Sequence, residues 1–282
     1  KATLSLICSV AGGVLNMVLD YVFIAVLDMG ISGAAIATGL GYSVTAVTGL
    51  FVFSQKKSLL HFKKPSFRFK VLVNAATNGC SEMATALVTG IITLMFNWTM
   101  LHYVGEDGIA AVTIIMYVLM FASSLYTGYS YGVAPMLSFY HGEQNYGKLK
   151  KVVDSSLKVI AFISVITVAA SFLLTEPLVS VFARPDNPVY GLAVTGNKIC
   201  TIALFFIGFN IFASGMFTAL SNGIISAVLA FSRSFVFMLF TMVVLPMFFG
   251  VNGIWMATPV AELMALALSA VMYTKYKKRY GY

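Results

Sequence analysis

Charge is what this chain has least of. Asp, Glu, Lys and Arg make up 10% of its 282 residues, whereas a soluble domain carries about 25%. With a hydrophobic share of 59%, the chain cannot cover itself with polar groups, so its solvent must be largely lipid. Cysteine is nearly absent too. Cys8, Cys80 and Cys200 lie in apolar stretches far apart in sequence, which indicates neither a disulfide framework nor a metal centre. Histidine is confined to His61, His102 and His141, all at or beyond helix ends, where they read as interfacial groups rather than ligands. No Ser/His/Asp set, zinc spacing or phosphate loop occurs at a shared depth, so an enzyme is not expected. The net charge of +8 comes from clusters between apolar runs. That distribution suits an anionic lipid surface and not a nucleic acid.

What the chain has in abundance is long apolar runs. A membrane span needs about 20 such residues, and eight are read: 4–27, 31–54, 77–101, 109–137, 152–174, 194–220, 223–248 and 253–274. All should be helices, because an open strand cannot satisfy its backbone in lipid. The fold class expected is therefore an all-α membrane protein. Turns such as Asp28-Met29-Gly30 and Ser221-Asn222-Gly223 separate the runs.

Basic residues fix an orientation. Lys1, the Lys56–Lys70 region, Lys148 to Lys151 and Lys275 to Arg279 fall on one side of this count. Only Arg184 and Lys198 fall on the other. The basic side is expected to be cytoplasmic, with both chain ends there. The segment from Ser54 to Lys70 alternates basic and aromatic residues and reads as a surface linker between two bundles. The stretch 175–193 reads as an external loop.

A repeat organises the whole. Gly30-Ile-Ser-Gly-Ala-Ala-Ile-Ala-Thr38 returns as Gly250-Val-Asn-Gly-Ile-Trp-Met-Ala-Thr258, 220 residues later. A coincidence among common Gly and Ala is the competing explanation. The ungapped spacing and the matching apolar flanks argue for an internally repeated transporter. Lys1 leads into an apolar run without an initiator Met, so the chain is read as beginning at or just inside a helix. Since the repeat pairs the second span with the eighth, the spans count as numbers five to twelve of a twelve-helix, two-lobe protein. The expected division is 1–54 for the end of the amino-terminal lobe, 55–70 for the linker and 71–282 for the carboxyl-terminal lobe.

Charges inside spans are costly, about 2.5–3.5 kcal/mol on insertion scales, and must face a cavity or a partner. Three acids qualify: Asp20, Glu82 and Glu262. Asp20 is the leading candidate. Asn16 lies one turn before it on the same face, and Thr38 opens the partner span. A carboxylate, an amide oxygen and a hydroxyl are hard ligands suited to sodium, or the carboxylate takes a proton alone. Glu82 sits at a helix start, where the dipole also favours an acid. Glu262 follows Pro259, which leaves the carbonyl one turn earlier unpaired and should bend the helix. Arg233 is the one base well inside a span; of its two readings, balancing an acid across the bundle and snorkelling toward the cytoplasmic interface, the second is expected. Asn97, Tyr117 and Asn210 are candidate cavity residues, with interhelical hydrogen bonding as their alternative role. Asp154 and Lys158 read as a surface pair.

These residues resemble a known family. Asn16-Met-Val-Leu-Asp20-Tyr-Val-Phe-Ile24 with the first repeat copy resembles the fifth and sixth helices of multidrug and toxic compound extrusion (MATE) transporters. Gly79-Cys-Ser-Glu82 resembles the start of their seventh helix. Ala134-Pro-Met-Leu-Ser-Phe-Tyr-His-Gly142 resembles the segment leaving their eighth, and the second repeat copy through Glu262 resembles their last. The resemblance implies two six-helix lobes around a cavity in a bacterial-type inner-membrane transporter. It implies export of small organic, often cationic, compounds, driven by inward Na+ or H+, with no other cofactor and the monomer as working unit. It assigns the coupling cation to Asn16, Asp20 and Thr38, with Glu82 as a second coupling acid. Glu262, Asn97, Tyr117 and Asn210 are left as cavity candidates. Where the family often has Pro early in the seventh helix, this chain has Asn74-Ala-Ala-Thr-Asn78. An Asp used by one branch in the tenth helix has no counterpart between Asn197 and Leu220. A lipid-linked oligosaccharide flippase of the same superfamily, and a membrane fragment that only associates with partner helices, are the alternatives.

Overall fold

Gly30 and Gly250, the first residues of the two repeat copies, both take positive φ, 54° and 56°, a conformation glycine adopts without steric cost. The fourth residues, Gly33 and Gly253, share a second property. A Cβ on Gly33 would stand 2.9 Å from the Phe23 Cβ, and one on Gly253 would fall on the Leu245 carbonyl. The repeat therefore encodes one device twice: a left-handed turn, then a helix packed tightly against the end of the helix before it.

The computed structural model describes residues 2–55 and 69–282, and the side chains of all these except 2, 70, 71, 73–87 and 278. It falls into two units, Lys1–Val73 and Asn74–Tyr282. The first holds α1 (Ala2–Asp20), continued by a π-helical turn Tyr21–Val26, and α2 (Gly30–Ser54). These pack as a hairpin whose buried positions include Gly12, Gly33, Ala37 and Gly41. Of the expected linker, 56–68 lie outside the described residues.

α3 (Phe69–Tyr103) leads into the second unit, which continues with α4 (Glu106–Gly142), α5 (Tyr146–Leu173), the short α6 (Thr175–Ser180) and α7 (Pro188–Cys200). A 3-10 turn, Thr201–Ala203, joins α7 to α8 (Leu204–Ala219). α9 (Gly223–Phe231) runs through a second π turn, Ser232–Phe237, into α10 (Met238–Phe249), and α11 (Val251–Tyr280) closes the unit. Among the described residues, seven segments are long and apolar enough to cross a membrane: Thr3–Val26, Gly30–Ser54, Glu106–Gly142, Tyr146–Leu173, Pro188–Ala219, Gly223–Phe249 and Val251–Lys277. The eighth expected span, 77–101, falls within α3, part of whose side chains are not described.

Local chemistry explains the ends. Gly105 turns at φ 96°, and Glu106 and Asp107 fill the first turn of α4, where the helix dipole favours acids. α7 begins six residues before the expected 194 and so removes part of the expected external loop. The reason is that the Asn187 side chain caps it, accepting from Val189 N at 2.9 Å, while Pro188 occupies a first-turn position that needs no N–H.

The core of the second unit is built where glycine admits an aromatic ring. Trp255 and Tyr126 are almost wholly buried. A Cβ on Gly196 would meet the Trp255 ring at 2.8 Å, and one on Gly208 the Tyr126 ring at 2.6 Å. The Tyr126 hydroxyl donates to Leu204 O at 2.9 Å, which settles the polar end of the ring. At the far end, Gly281 turns at φ 70° and seats Tyr282 beside Tyr273. Burial, then the neighbouring Tyr273 and Tyr280, hold the Tyr282 hydroxyl above its ordinary range.

Candidate functional site

The α1–α2 crossing brings together two of the three residues that the sequence singles out, Asn16 and Thr38. A Cβ on Gly12 would stand 2.7 Å from Gly41 O, and one on Gly41 would stand 2.9 Å from the Asn16 Cβ. With no side chain at either glycine, the backbones approach closely. Asn16 Nδ2 then reaches Thr38 Oγ1 at 3.5 Å. The Thr38 hydroxyl donates to Ala34 O at 2.9 Å, which leaves its lone pairs to accept. Asp20 follows Asn16 by one turn and stands at the last α-helical position before the π turn. There the hydrogen bonds lengthen in register, as Leu27 N→Val22 O at 2.9 Å shows. π turns of this kind are frequent at functional positions. Asp20 Oδ1 is shielded from solvent and has no hydrogen-bond partner. A shielded carboxylate oxygen without a donor is costly, and a bound cation or proton would remove that cost. A carboxylate, an amide oxygen and a hydroxyl are hard oxygen donors of the kind a sodium ion takes.

A second polar cluster lies in the core of the other unit. Arg233 Nε donates to both Glu262 oxygens, at 2.8 and 3.0 Å. Asn210 Nδ2 donates to Glu262 Oε2 at 2.8 Å and to Glu262 O at 2.9 Å. Ser269 Oγ donates to Asn210 Oδ1 at 3.1 Å, which fixes the amide so that its NH2 faces the carboxylate. The expected snorkelling of Arg233 is therefore corrected. A carboxylate at the same depth pairs with it more favourably than a stretch to the interface would. Pro259 lies inside the continuous helix α11. The Trp255 carbonyl that it deprives of an N–H receives the Cys200 thiol at 3.3 Å.

The remaining candidates are dispersed. The Glu82 side chain lies outside the described residues. Asn97 is half-buried on α3, and Tyr117 stacks on Phe182 with ring centroids 6.2 Å apart. Neither joins the Glu262 cluster. Asp154 and Lys158 form no ion pair. Sequence reasoning missed Ser269, and it missed a buried seam that joins α5 and α6 to α7 and the 3-10 turn after it. There Ser171 and Thr201 share a 2.7 Å hydrogen bond, and Asn197 Nδ2 donates to Thr175 Oγ1 at 3.0 Å. The i, i+4 spacing of Ser171 and Thr175 was its only signal. A groove of about 300 Å³ lies between α3 and α10, lined by Met95, Trp98, His102, Met242 and Met247 among others.

The family model MatE matches residues 83–244, more than half of the chain. The chain belongs to the MatE family. Members of this family are transporters rather than enzymes. Among curated relatives, the Multidrug export protein MepA of Staphylococcus aureus is 25% identical over 275 residues, covering 96% of this chain and 60% of the relative. MepA of Staphylococcus saprophyticus is 24% identical over 281 residues, with the same two coverages. The chain thus spans about 60% of the length of the curated relatives it matches.

Solved structures agree on the MATE fold. A multidrug resistance MATE family transporter of the MOP superfamily in an outward-facing conformation superposes with TM-score 0.81 at 20% identity, covering 96% of this chain and 62% of that one. An inward-facing conformation gives 0.81 at 22% identity, covering 96% and 64%. A MOP superfamily transporter from Pyrococcus furiosus gives 0.82 at 20%, covering 96% and 62%. With its apolar helices, this MatE chain is a multi-pass membrane protein.

Proposed function

We propose that the protein exports small organic compounds, lipophilic cations among them, by alternating access across the cytoplasmic membrane. Inward movement of Na+ or H+ drives the export through Asp20, Asn16 and Thr38. The shielded Asp20 oxygen without a donor, one turn from Asn16 and its Thr38 contact, carries this reading. Membership of MatE and likeness to proteins named for multidrug export support it.

Cation binding neutralises Asp20, so the shielded carboxylate no longer opposes closure of the helices around it. Release restores the charge, which favours a hydrated, substrate-accepting shape. Exchange follows only if the cation binds the two shapes with different affinity. The π turn beside Asp20 gives α1 a place to change register without unfolding. Glu82 acts as a second coupling acid in the carboxyl-terminal lobe, residues 71–282. Both ends of the chain face the cytoplasm, and a monomer is the working unit.

The test uses the complete gene product in proteoliposomes loaded with ethidium. Replacing Asp20 by Asn should abolish gradient-driven efflux under both sodium and proton gradients while insertion stays intact. Efflux at the wild-type rate from the Asn variant would overturn the assignment.

A further inference from the structure

Among the described residues, Arg233 is held by one edge only. A guanidinium carries five N–H donors, and Glu262 engages just one, the Nε–H, which both carboxylate oxygens share. The two terminal amino groups have no hydrogen-bond partner among the described residues. They are not sealed off, for the Arg233 side chain keeps 23% of its surface exposed. Depth makes this unusual. Arg233 lies ten residues into the span Gly223–Phe249, about 15 Å along the helix at 1.5 Å per residue, near the middle of a hydrocarbon core about 30 Å thick. Its anchor is equally deep and pins it there, since Glu262 is eleven residues into α11. Four N–H groups facing acyl chains at that depth would be costly, so with no partner among the described residues they are suited to water or a ligand.

The setting fixes the guanidinium as well. The Ser269–Asn210–Glu262 chain orients the carboxylate, and the carboxylate orients the Nε edge. Arg233 stands in the π turn Ser232–Phe237. A planar fork already ordered in this way matches the two oxygens of a carboxylate or phosphate, which a lysine cannot grip bidentately. Glu262 offsets most of the positive charge, so a bound anion is held by the fork's geometry more than by net charge and can leave again.

We infer that the two terminal amino groups of Arg233 form an anion subsite for the carboxylate or phosphate group of an amphiphilic substrate. The inference rests on the export reading above and widens its substrate class to zwitterions and amphiphilic anions. Two sources share this chemistry: a free amphiphile, and a lipid whose headgroup enters the cavity.

The test is a binding titration on the complete protein in nanodiscs of zwitterionic lipid, with dansyl-labelled undecanoate and its uncharged primary amide as probes. The acid should bind saturably and the amide at least tenfold more weakly. Arg233→Lys keeps the charge and the partner but loses the fork, so it should weaken the acid at least tenfold while the melting temperature holds. Equal binding of acid and amide would overturn the subsite, and so would undiminished acid binding by folded Arg233→Lys. Adding phosphatidylglycerol separates the sources: competition with the acid assigns the fork to headgroups as well, and absence of competition reserves it for free amphiphiles. No ion gradient enters this assay, so its failure leaves the Asp20 reading standing, and loss of that reading leaves this one measurable.

Discussion

At Gly41 a single hydrogen in place of a methyl group decides how near Asn16 comes to Thr38. A Cβ there would meet the Asn16 Cβ and Gly12 O, each at 2.9 Å, and backbone cannot move aside as a side chain would. Gly41→Ala should part the two helices at a cost of about 1–3 kcal/mol, the usual range for overpacking, seen as a lowered melting temperature together with weaker coupling. Gly13→Ala, with open space around its Cβ, is the matched control and should not destabilise. Equal melting of the two variants would remove the close approach from the account. Much at this scale was legible in sequence. The i, i+4 spacing of Asn16 and Asp20 fixes their shared face on any helix, and the repeat places Thr38 in the next one. The pairing of Arg233 with an acid was legible only as the less favoured of two readings, and Glu262 as its partner was not. Depth along a span can be counted, but which way a side chain turns toward a neighbouring helix is set by tertiary packing.

Among the described residues, helices widen into π geometry at two places, each at a charged residue. One π turn starts immediately after Asp20 and the other contains Arg233. A π turn holds one residue more than the α-helix it interrupts, so deleting Val22 should restore regular hydrogen bonding and turn Asp20 away from its present setting. The expected outcome is a protein that inserts and folds but no longer couples, read by circular dichroism and gradient-driven efflux together. Coupling that survives the deletion would show that the turn is incidental. No composition signal announced either turn, because Tyr21–Val26 and Ser232–Phe237 are as apolar or as mixed as their neighbours. The early start of α7 was written plainly in Asn187-Pro188, a cap followed by a first-turn proline. It was obscured only because the hydrophobic run, by which the span was counted, begins later.

For the whole molecule, hydropathy and the repeat sufficed to read an internally repeated, all-helical membrane protein, and the resemblance of its motifs supplied the MATE fold. That these runs are helices follows from backbone satisfaction in lipid, which leaves no other option for them. Orientation is a separate claim, resting on the basic residues. In a background with the native cysteines replaced by serine, Asp186→Cys should react with a membrane-impermeant maleimide on intact cells. Glu143→Cys should react only after permeabilisation. Both positions are exposed on turns between helices. The reverse pattern would invert the topology and, with it, the direction of transport.

The central claim is that a cation at Asp20 and an organic compound move in opposite directions through one protein. Simultaneous recording of both fluxes in the same proteoliposomes tests it most directly, with ethidium fluorescence beside a sodium- or proton-sensitive dye. The account predicts that ethidium leaves as one of these cations enters, and that Asp20→Asn stops both movements together. Ethidium export without cation entry, or full coupled exchange by the Asn variant, would contradict it.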